Sequence, residues 1–173
     1  MLKTRIKRNR IRNFVQNLKS GPCYKCGGKF HFSAMEFDVQ ISLHKMYTVS
    51  TKTILNKIRK HHLICANCNS NKFNQNVQNT CVSNKLVELT NWLNSIKDNR
   101  RCSNCGHQFR YWSLNFDHRN QKKKFKPVSQ MKNSKYSKEK IILEIEKCDL
   151  ICVNCHRIKI WKQHQLKIDQ VKV

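Results

Sequence analysis

The fold is decided by four short stretches in which two cysteines stand three positions apart: Cys23-Tyr24-Lys25-Cys26, Cys65-Ala66-Asn67-Cys68, Cys102-Ser103-Asn104-Cys105 and Cys152-Val153-Asn154-Cys155. Two thiolates with this spacing on a tight turn supply half of the ligands of a tetrahedral zinc ion. The four pairs therefore predict two four-cysteine sites, each holding a structural zinc ion. A chain of 173 residues forms one domain or two small ones, and small domains need such cross-links because their hydrophobic cores are small.

Disulfide bonds are the alternative use of these cysteines. They persist in oxidising compartments, which secreted proteins reach by means of an apolar signal sequence. The N-terminal residues 1–7 contain no apolar stretch of that kind. We therefore favour metal sites, and we expect an intracellular protein in a reducing compartment, the cytoplasm or the nucleus, including those of an infected host.

The charge of the chain restricts its partner. It carries 35 Lys+Arg against 10 Asp+Glu, a formal net charge of +25, and the basic residues are spread over both halves. Such an excess needs an anionic partner. No apolar run of about 18 residues exists, so a membrane span is not expected. An anionic membrane surface fits less well than nucleic acid, because the cations are not confined to one helix face.

The chain contains an internal repeat. With an offset of 79 positions, Cys23, Cys26, Phe37 and Asp38 fall on identical residues of the C-terminal half, and with an offset of 87 positions so do the residues around Cys65. Chance does not produce so many identities in register. Two copies of one module are predicted, residues 1–78 and residues 79–173, each closing its own zinc site.

Each copy is expected to run helix, hairpin, helix, helix, which is an α+β fold. Apolar residues recur with helical spacing over residues 11–18 and again over residues 86–96. Alternating apolar residues at 112–116 predict a β-hairpin before Asp117. Next come a polar loop (residues 119–136) and a helix that begins at Ser137 and presents Ile141 and Cys148 on one face. A last helix follows Cys152. Residues 69–82 are the predicted linker.

Two further stretches of the second copy complete a pattern: Phe116-Asp117-His118-Arg119 and Cys155-His156-Arg157. Together with both cysteine pairs they resemble the HNH family of metal-dependent nucleases, in the subgroup whose ββα-metal fold is braced by zinc on four cysteines. The resemblance covers residues 100–164 well and residues 21–75 in degenerate form. It implies two tandem zinc-braced ββα-metal modules, each preceded by a helix.

The resemblance also implies roles for three side chains. His118 is the general base that activates water, a task that suits an imidazole with an ordinary pKa of about 6.5. Asp117 and His156 are the protein ligands of one catalytic Mg²⁺ or Mn²⁺, which stabilises the pentacovalent phosphate. The zinc ions are structural, because four thiolates leave no open position for water.

Two departures from the family pattern restrict what it implies. The family carries an Asn shortly before the second cysteine pair that orients the base, and residues 146–150 contain none. In the first copy Val39 stands at the position of His118 and Asn69 at that of His156, although Asp38 is retained. The first copy is therefore expected to be catalytically inactive and to serve in binding or as a scaffold.

Basic residues in three places are candidates for contact with phosphates. The N-terminal stretch carries six cations in ten residues, which repel one another unless phosphates intervene, although a solvated helix face is the alternative. A lysine run follows the proposed base, and further cations follow the two histidine motifs. The candidates are Lys3, Arg5, Lys7, Arg8, Arg10, Arg12, Arg119, Lys122, Lys123, Lys124, Arg157 and Lys159.

The sequence thus predicts a DNA endonuclease with an active C-terminal module. The rival is a non-catalytic zinc protein that binds nucleic acid, either in DNA packaging or as an RNA-binding or ribosome-associated protein. Coexistence of Asp117, His118 and His156 in one copy favours the enzyme, since binding alone requires none of them. The 19 asparagines and the many lysines are typical of an AT-rich genome such as that of a virus or phage.

Overall fold

The computed structural model describes residues 2–38, 50–74 and 83–170. These residues form helices and short antiparallel strand pairs, so the predicted mixed α+β class is confirmed. The chain divides into two compact units, Met1–Asn69 with Arg157–Val173, and Ser70–His156. This division assigns Arg157–Val173 to the first unit, whereas the sequence repeat groups them with residues 79–173. The predicted boundary between residues 78 and 79 lies outside the described residues.

The first unit contains two helices on one core and a strand pair. Ile11 and Val15 are buried against Ile54 and Ile58, which confirms the predicted N-terminal helix. The strand pair is antiparallel and places Met35 opposite Cys65. The elements are α1 (Leu2–Leu18), β1 (Met35–Phe37), α2 (Thr51–Ile58), β2 (Leu63–Cys65) and the start of α3 (Ala66–Asn74).

The second unit has a larger core and a longer strand pair. Its elements are α4 (Asn84–Lys97), β3 (Arg100–Arg101), β4 (Gln108–Phe109), β5 (Leu114–His118), α5 (Val128–Asn133), α6 (Lys138–Ile145), β6 (Cys148–Cys152) and the start of α7 (Val153–Gln170). Strands β5 and β6 are antiparallel, with Leu114 opposite Cys152 and His118 opposite Cys148. This register brings the end of β5 next to the start of β6.

The three helices predicted for the second copy are present as α4, α6 and α7, and two of them pack together. Leu89 and Leu93 of α4 are buried in one cluster with Ile141 of α6. Ser137 caps α6, since its hydroxyl accepts a hydrogen bond from the backbone N–H of Lys140. Helix α6 ends at Ile145, however, and Cys148, predicted on the same helix face, is the first residue of β6 instead.

The predicted hairpin at residues 112–116 is wrong. Residues 111–113 form a turn of 3₁₀ helix, and the strand that follows pairs with β6 rather than with a neighbouring segment. The partner is distant because β6 delivers the second cysteine pair: the backbone N–H of Cys152 reaches Sγ of Cys102 at 3.2 Å. Pairing of β6 with β5 therefore also brings the second cysteine pair to the first.

The predicted polar loop, residues 119–136, contains helix α5. Val128 and Met131, one helical turn apart, are buried in the core of the second unit. Only these two apolar residues of α5 enter the core, and the surrounding lysines conceal the pattern in the sequence. Part of the predicted linker is also helical, because α3 extends to Asn74. The rest of it, residues 75–82, lies outside the described residues.

We expect Met131→Ala to lower the free energy of unfolding by about 2–5 kcal/mol, because truncation of a buried methionine removes contacts and leaves a cavity. Met131 is 1% exposed. Leu143→Ala is the control, since Leu143 is 59% exposed, and it should change that free energy by no more than about 0.5 kcal/mol. Urea unfolding of the zinc-loaded protein measures both. Equal effects would mean that α5 does not belong to the core.

Candidate metal centres and catalytic cluster

Each cysteine cluster joins a tight turn to the end of a strand. In the first unit Gly27 has a φ of +69°, which side chains rarely permit, and its N–H donates to the carbonyl of Cys23 at 2.8 Å. This turn presents Cys23 and Cys26. Cys65 ends β2, and its N–H donates to Sγ of Cys23 at 3.2 Å. Cys68 follows on α3, so that all four thiols converge.

The second unit repeats this geometry. Gly106 has a φ of +73°, and its N–H donates to the carbonyl of Cys102 at 2.8 Å. Cys152 ends β6 and donates its N–H to Sγ of Cys102. The side-chain amide of Asn104 donates to Sγ of Cys155 at 3.2 Å. The two copies of the motif therefore fold alike around their cysteines.

The sulfur positions fit zinc. In each cluster the four Sγ atoms all lie within 4.8 Å of one another, and those of Cys26 and Cys65 are 4.0 Å apart. Four sulfurs at about 2.3 Å from one tetrahedral zinc ion are separated by about 3.8 Å. None of the eight cysteines is in a disulfide. The two predicted four-cysteine sites are confirmed, and two structural zinc ions are the cofactors that fit them: Cys23, Cys26, Cys65 and Cys68; and Cys102, Cys105, Cys152 and Cys155.

The pKa values of the thiols differ within each cluster, and a divalent metal ion would let all four ionise. Burial by itself would raise the pKa of Cys23, but backbone donors, first among them the N–H of Cys65, lower it to about 7. The same balance lowers the pKa of Cys102 to about 7. Burial and neighbouring cysteines raise the pKa of Cys68 and Cys155 instead. A divalent cation at the centre offsets both burial and mutual repulsion and stabilises four thiolates together.

The imidazole of His118 is fixed by a buried carboxylate. His118 ends β5 and is 4% exposed, and Glu144 on α6 is 2% exposed. Nε2 of His118 lies 2.7 Å from Oε1 of Glu144. A carboxylate accepts, so Nε2 carries the proton of this bond, and Nδ1 is the ring nitrogen that can accept another. Glu144 therefore fixes the orientation of the His118 ring.

Three donors keep Glu144 ionised. Its Oε1 also accepts the backbone N–H of Phe125 at 2.8 Å, and its Oε2 accepts Nζ of Lys147 at 2.6 Å. Burial by itself would raise the pKa of Glu144, but the bonds from Lys147, His118 and Phe125 outweigh it and hold the pKa at about 2. Glu144 is therefore a carboxylate at neutral pH.

Asp117 and His156 lie together. Asp117 precedes His118 on β5, and His156 follows Cys155 in α7. Oδ1 of the aspartate and Nε2 of the histidine are 3.6 Å apart. Two ligands of one cation, each at about 2.1 Å from it, lie about 3–4 Å apart. The separation thus fits two atoms that share one small divalent cation.

The corresponding positions of the first unit have other contacts. Oδ1 of Asp38 lies 3.2 Å from Nδ1 of His61, and its Oδ2 lies 3.5 Å from Nδ1 of His62. Asn69, at the position of His156, donates its side-chain amide to Oε1 of Glu36 at 2.7 Å. Val39 lies outside the described residues. The carboxylate that corresponds to Asp117 is thus engaged by histidines that precede β2.

Most of the candidate phosphate contacts lie on helices or turns of the two units. Lys3 and Arg5 belong to α1, and the four later cations of that helix have exposed side chains. Lys122 and Lys123 are exposed in a 3₁₀ turn directly after the strand that carries the proposed base, and Lys124 is half-buried. Lys159 is half-buried on α7. The exposed α1 residues are Lys7, Arg8, Arg10 and Arg12.

Two arginines proposed to contact phosphates are engaged within the protein. Arg119 donates to Oδ1 of Asp149 at 3.0 Å and to the carbonyl of Glu146. Arg157 donates to Oε2 of Glu36 at 2.8 Å. Arg119 thereby ties the end of β5 to the start of β6 and to the segment before it, and Arg157 ties α7 to β1 within the first unit.

Sequence reasoning missed Glu144, although a signal was present. Glu144 follows the buried Ile141 by one turn of α6, which places it on the core face of the helix. A buried carboxylate requires hydrogen-bond or charge partners. Its partner His118 is 26 positions away, so the sequence could show that a partner was needed but not which residue supplies it.

Comparison with known proteins adds no family assignment. No family model, curated protein or solved structure matches the chain. Within the part of the chain that the structure describes, helices are too short or too polar to cross a membrane.

We expect two tightly held zinc ions per chain, and a single one in Cys65→Ala or in Cys152→Ala, because each substitution removes a ligand of one cluster. Cys148→Ala is the control, since Cys148 is a free thiol outside both clusters. Elemental analysis of freshly purified protein measures the zinc content. Fewer than two zinc ions in the wild type, or disulfides detected by mass spectrometry, would contradict the assignment.

Proposed function

We propose that the protein is a metal-dependent DNA endonuclease whose second unit carries out the reaction. The observation that carries the proposal is the pair of contacts made by the last two residues of β5: His118 with Glu144, and Asp117 with His156. An oriented histidine that directly follows one of two potential cation ligands in the chain suits hydrolysis of a phosphodiester. The corresponding carboxylate of the first unit, Asp38, is paired with histidines instead.

His118 is the general base in this proposal. Glu144 holds the Nε2 proton, so Nδ1 receives a proton from the water that attacks phosphorus. The carboxylate at 2.7 Å then stabilises the imidazolium that forms, because opposite charges attract strongly in a buried site. Glu144 is a positioning residue, since it acts through the imidazole and does not touch the substrate.

Asp117 and His156 would hold one Mg²⁺ or Mn²⁺. Two protein ligands leave the remaining positions of an octahedral shell to water and phosphate oxygens. When bound, the cation stabilises the negative charge that develops on the phosphate and on the leaving 3′ oxygen. Both ligands are set by neighbours in the chain: Asp117 by β5, and His156 by Cys155 of the zinc cluster.

A non-catalytic zinc protein that binds nucleic acid is the second candidate. The burial of His118, which is 4% exposed, favours it, because a general base must reach water. The net charge of +25 suits this candidate equally well and does not distinguish DNA from RNA. The two candidates differ in one observable, which is cleavage.

We expect the purified protein to cleave supercoiled plasmid DNA when Mg²⁺ or Mn²⁺ is added and not when both are omitted. His118→Ala should slow cleavage by about 10²–10⁴-fold, because the proton acceptor is lost. His156→Ala should also abolish cleavage, but extra Mg²⁺ or Mn²⁺ should partly restore it, because this variant loses a cation ligand. Time courses on agarose gels measure the rates.

The first unit supplies the matched controls for this experiment. Asp38→Asn and Asn69→Ala alter the corresponding positions and should leave the rate unchanged. Glu144→Gln keeps the size of the side chain but removes its charge, and it should lower the rate while the protein retains two zinc ions. Cleavage by His118→Ala at the wild-type rate would refute the active-site assignment. If the wild-type protein cuts no DNA with any divalent metal, the non-catalytic nucleic-acid-binding protein becomes the better candidate.

We expect affinity for DNA to fall steeply with salt, because each phosphate that a cation neutralises releases a counterion and contributes about 0.9 to the slope of log K against log salt. Charge reversal on α1 should flatten this slope, at the exposed positions Lys7, Arg8, Arg10 and Arg12.

The control reverses four other exposed cations of the same unit, Lys52, Lys57, Arg59 and Lys60, and should flatten the slope less. Fluorescence anisotropy with a labelled duplex gives both slopes. Affinity that does not depend on salt would contradict electrostatic binding, and equal flattening by both sets would remove α1 as the preferred surface.

A further inference from the structure

Phe125 is an exposed aromatic side chain within a cationic segment of the second unit. It is 59% exposed, and four lysines surround it in residues 122–126. An isolated exposed apolar side chain is ordinary and needs no explanation, as with Leu143 on α6. Phe125 differs because both its backbone and its ring are held in place.

The backbone of Phe125 is fixed beside the proposed base. Its N–H donates at 2.8 Å to Oε1 of Glu144, the same oxygen that lies 2.7 Å from Nε2 of His118. The two nitrogens are therefore no more than two hydrogen-bond lengths apart. Hydrogen bonds to an ionised carboxylate are among the strong ones in proteins. One buried oxygen thus links the lysine-rich segment to the imidazole.

The ring of Phe125 is held without being buried. It packs edge-to-face with the ring of Tyr136, with ring centroids 6.1 Å apart and planes at 71°. Nζ of Lys126 lies 5.5 Å from the centre of the Phe125 ring and donates to the hydroxyl of Tyr136 at 2.9 Å. Edge-to-face and cation–π contacts together restrain the orientation of a ring. The result is a fixed aromatic surface that remains accessible to solvent.

We propose that Phe125 is a stacking platform for one unpaired nucleobase of a DNA strand bound across the end of β5. A fixed exposed ring next to cations is the combination with which proteins hold single strands, because bases stack on aromatic rings while cations neutralise the phosphates. Lys122 and Lys123, both exposed, supply the cations. That the stacked nucleobase lies near the bond to be cut rests on the proposed nuclease function. The stacking itself does not depend on that function.

The test compares two short single-stranded DNA probes of equal length, one of normal composition and one with abasic sites throughout, without added Mg²⁺ or Mn²⁺. Both carry the same phosphates, so their difference reports contacts with bases. Phe125→Ala keeps the backbone N–H to Glu144 and removes the ring. It should weaken binding of the normal strand by about 5-fold or more and leave binding of the abasic strand unchanged.

Two further variants exclude simpler explanations. Phe125→Trp retains a large aromatic ring and should bind the normal strand like the wild type. Leu143→Ala removes an equally exposed apolar side chain, 59% exposed, and should change neither affinity. Zinc content establishes that each variant is folded. The inference would be overturned if the wild type bound both strands equally, or if Phe125→Ala lost equal affinity for both. It would also be overturned if affinity depended on the presence of nucleobases in RNA probes but not in DNA probes.

Failure of the stacking site and failure of the nuclease are distinguishable. If the wild type cleaves plasmid DNA while Phe125→Ala binds both strands like the wild type, the stacking inference is wrong and the proposed function stands. If Phe125→Ala loses the base-dependent affinity while the wild type cleaves no DNA, the platform stands and the protein is a binding protein.

Discussion

In each unit four cysteine sulfurs lie within 4.8 Å of one another and would repel one another as thiolates. A divalent cation coordinated by all four removes this repulsion and cross-links the segments that carry them. In the second unit this cross-link lies where β6 ends and α7 begins. It therefore fixes β6 against β5 and, through the register, sets His118 opposite Cys148. It also fixes His156, which directly follows the ligand Cys155. The candidate catalytic geometry thus depends on the metal site as well as on the core that holds α6 and its Glu144.

Glu144 shows how a buried charge can be kept at low cost. Removal of a carboxylate from water is unfavourable, and such a group persists only where donors replace the lost solvent. Here an imidazole, an ammonium and a backbone N–H do so, from β5, from the segment before β6 and from the lysine-rich segment. The same three bonds join these parts of the second unit around one side chain. A single carboxylate therefore serves both the fold and the orientation of His118.

The local signals in the sequence were sufficient for the cysteine clusters and the helices, because cysteine spacing and a 3.6-residue period depend on neighbouring residues alone. The pairing of β5 with β6 could not be read in this way, since closure of the cluster through Cys152 selects the partner strand. Helix α5 was missed because only Val128 and Met131 enter the core from a lysine-rich segment. The role of Glu144 depends on a partner that only the tertiary structure identifies.

The two units retain one framework and differ in the polar groups attached to it. A cysteine cannot be exchanged without the loss of a zinc ligand, and therefore of the cross-link, in either unit. At the position of His156 the first unit has Asn69, whose amide finds an acceptor on Glu36, so the fold tolerates this exchange. Nor does stability require a buried pair of hydrogen-bonded polar side chains, since apolar side chains of similar volume are often as stabilising or more so. What distinguishes the second unit is therefore the buried bond between His118 and Glu144, on a framework that the first unit shares.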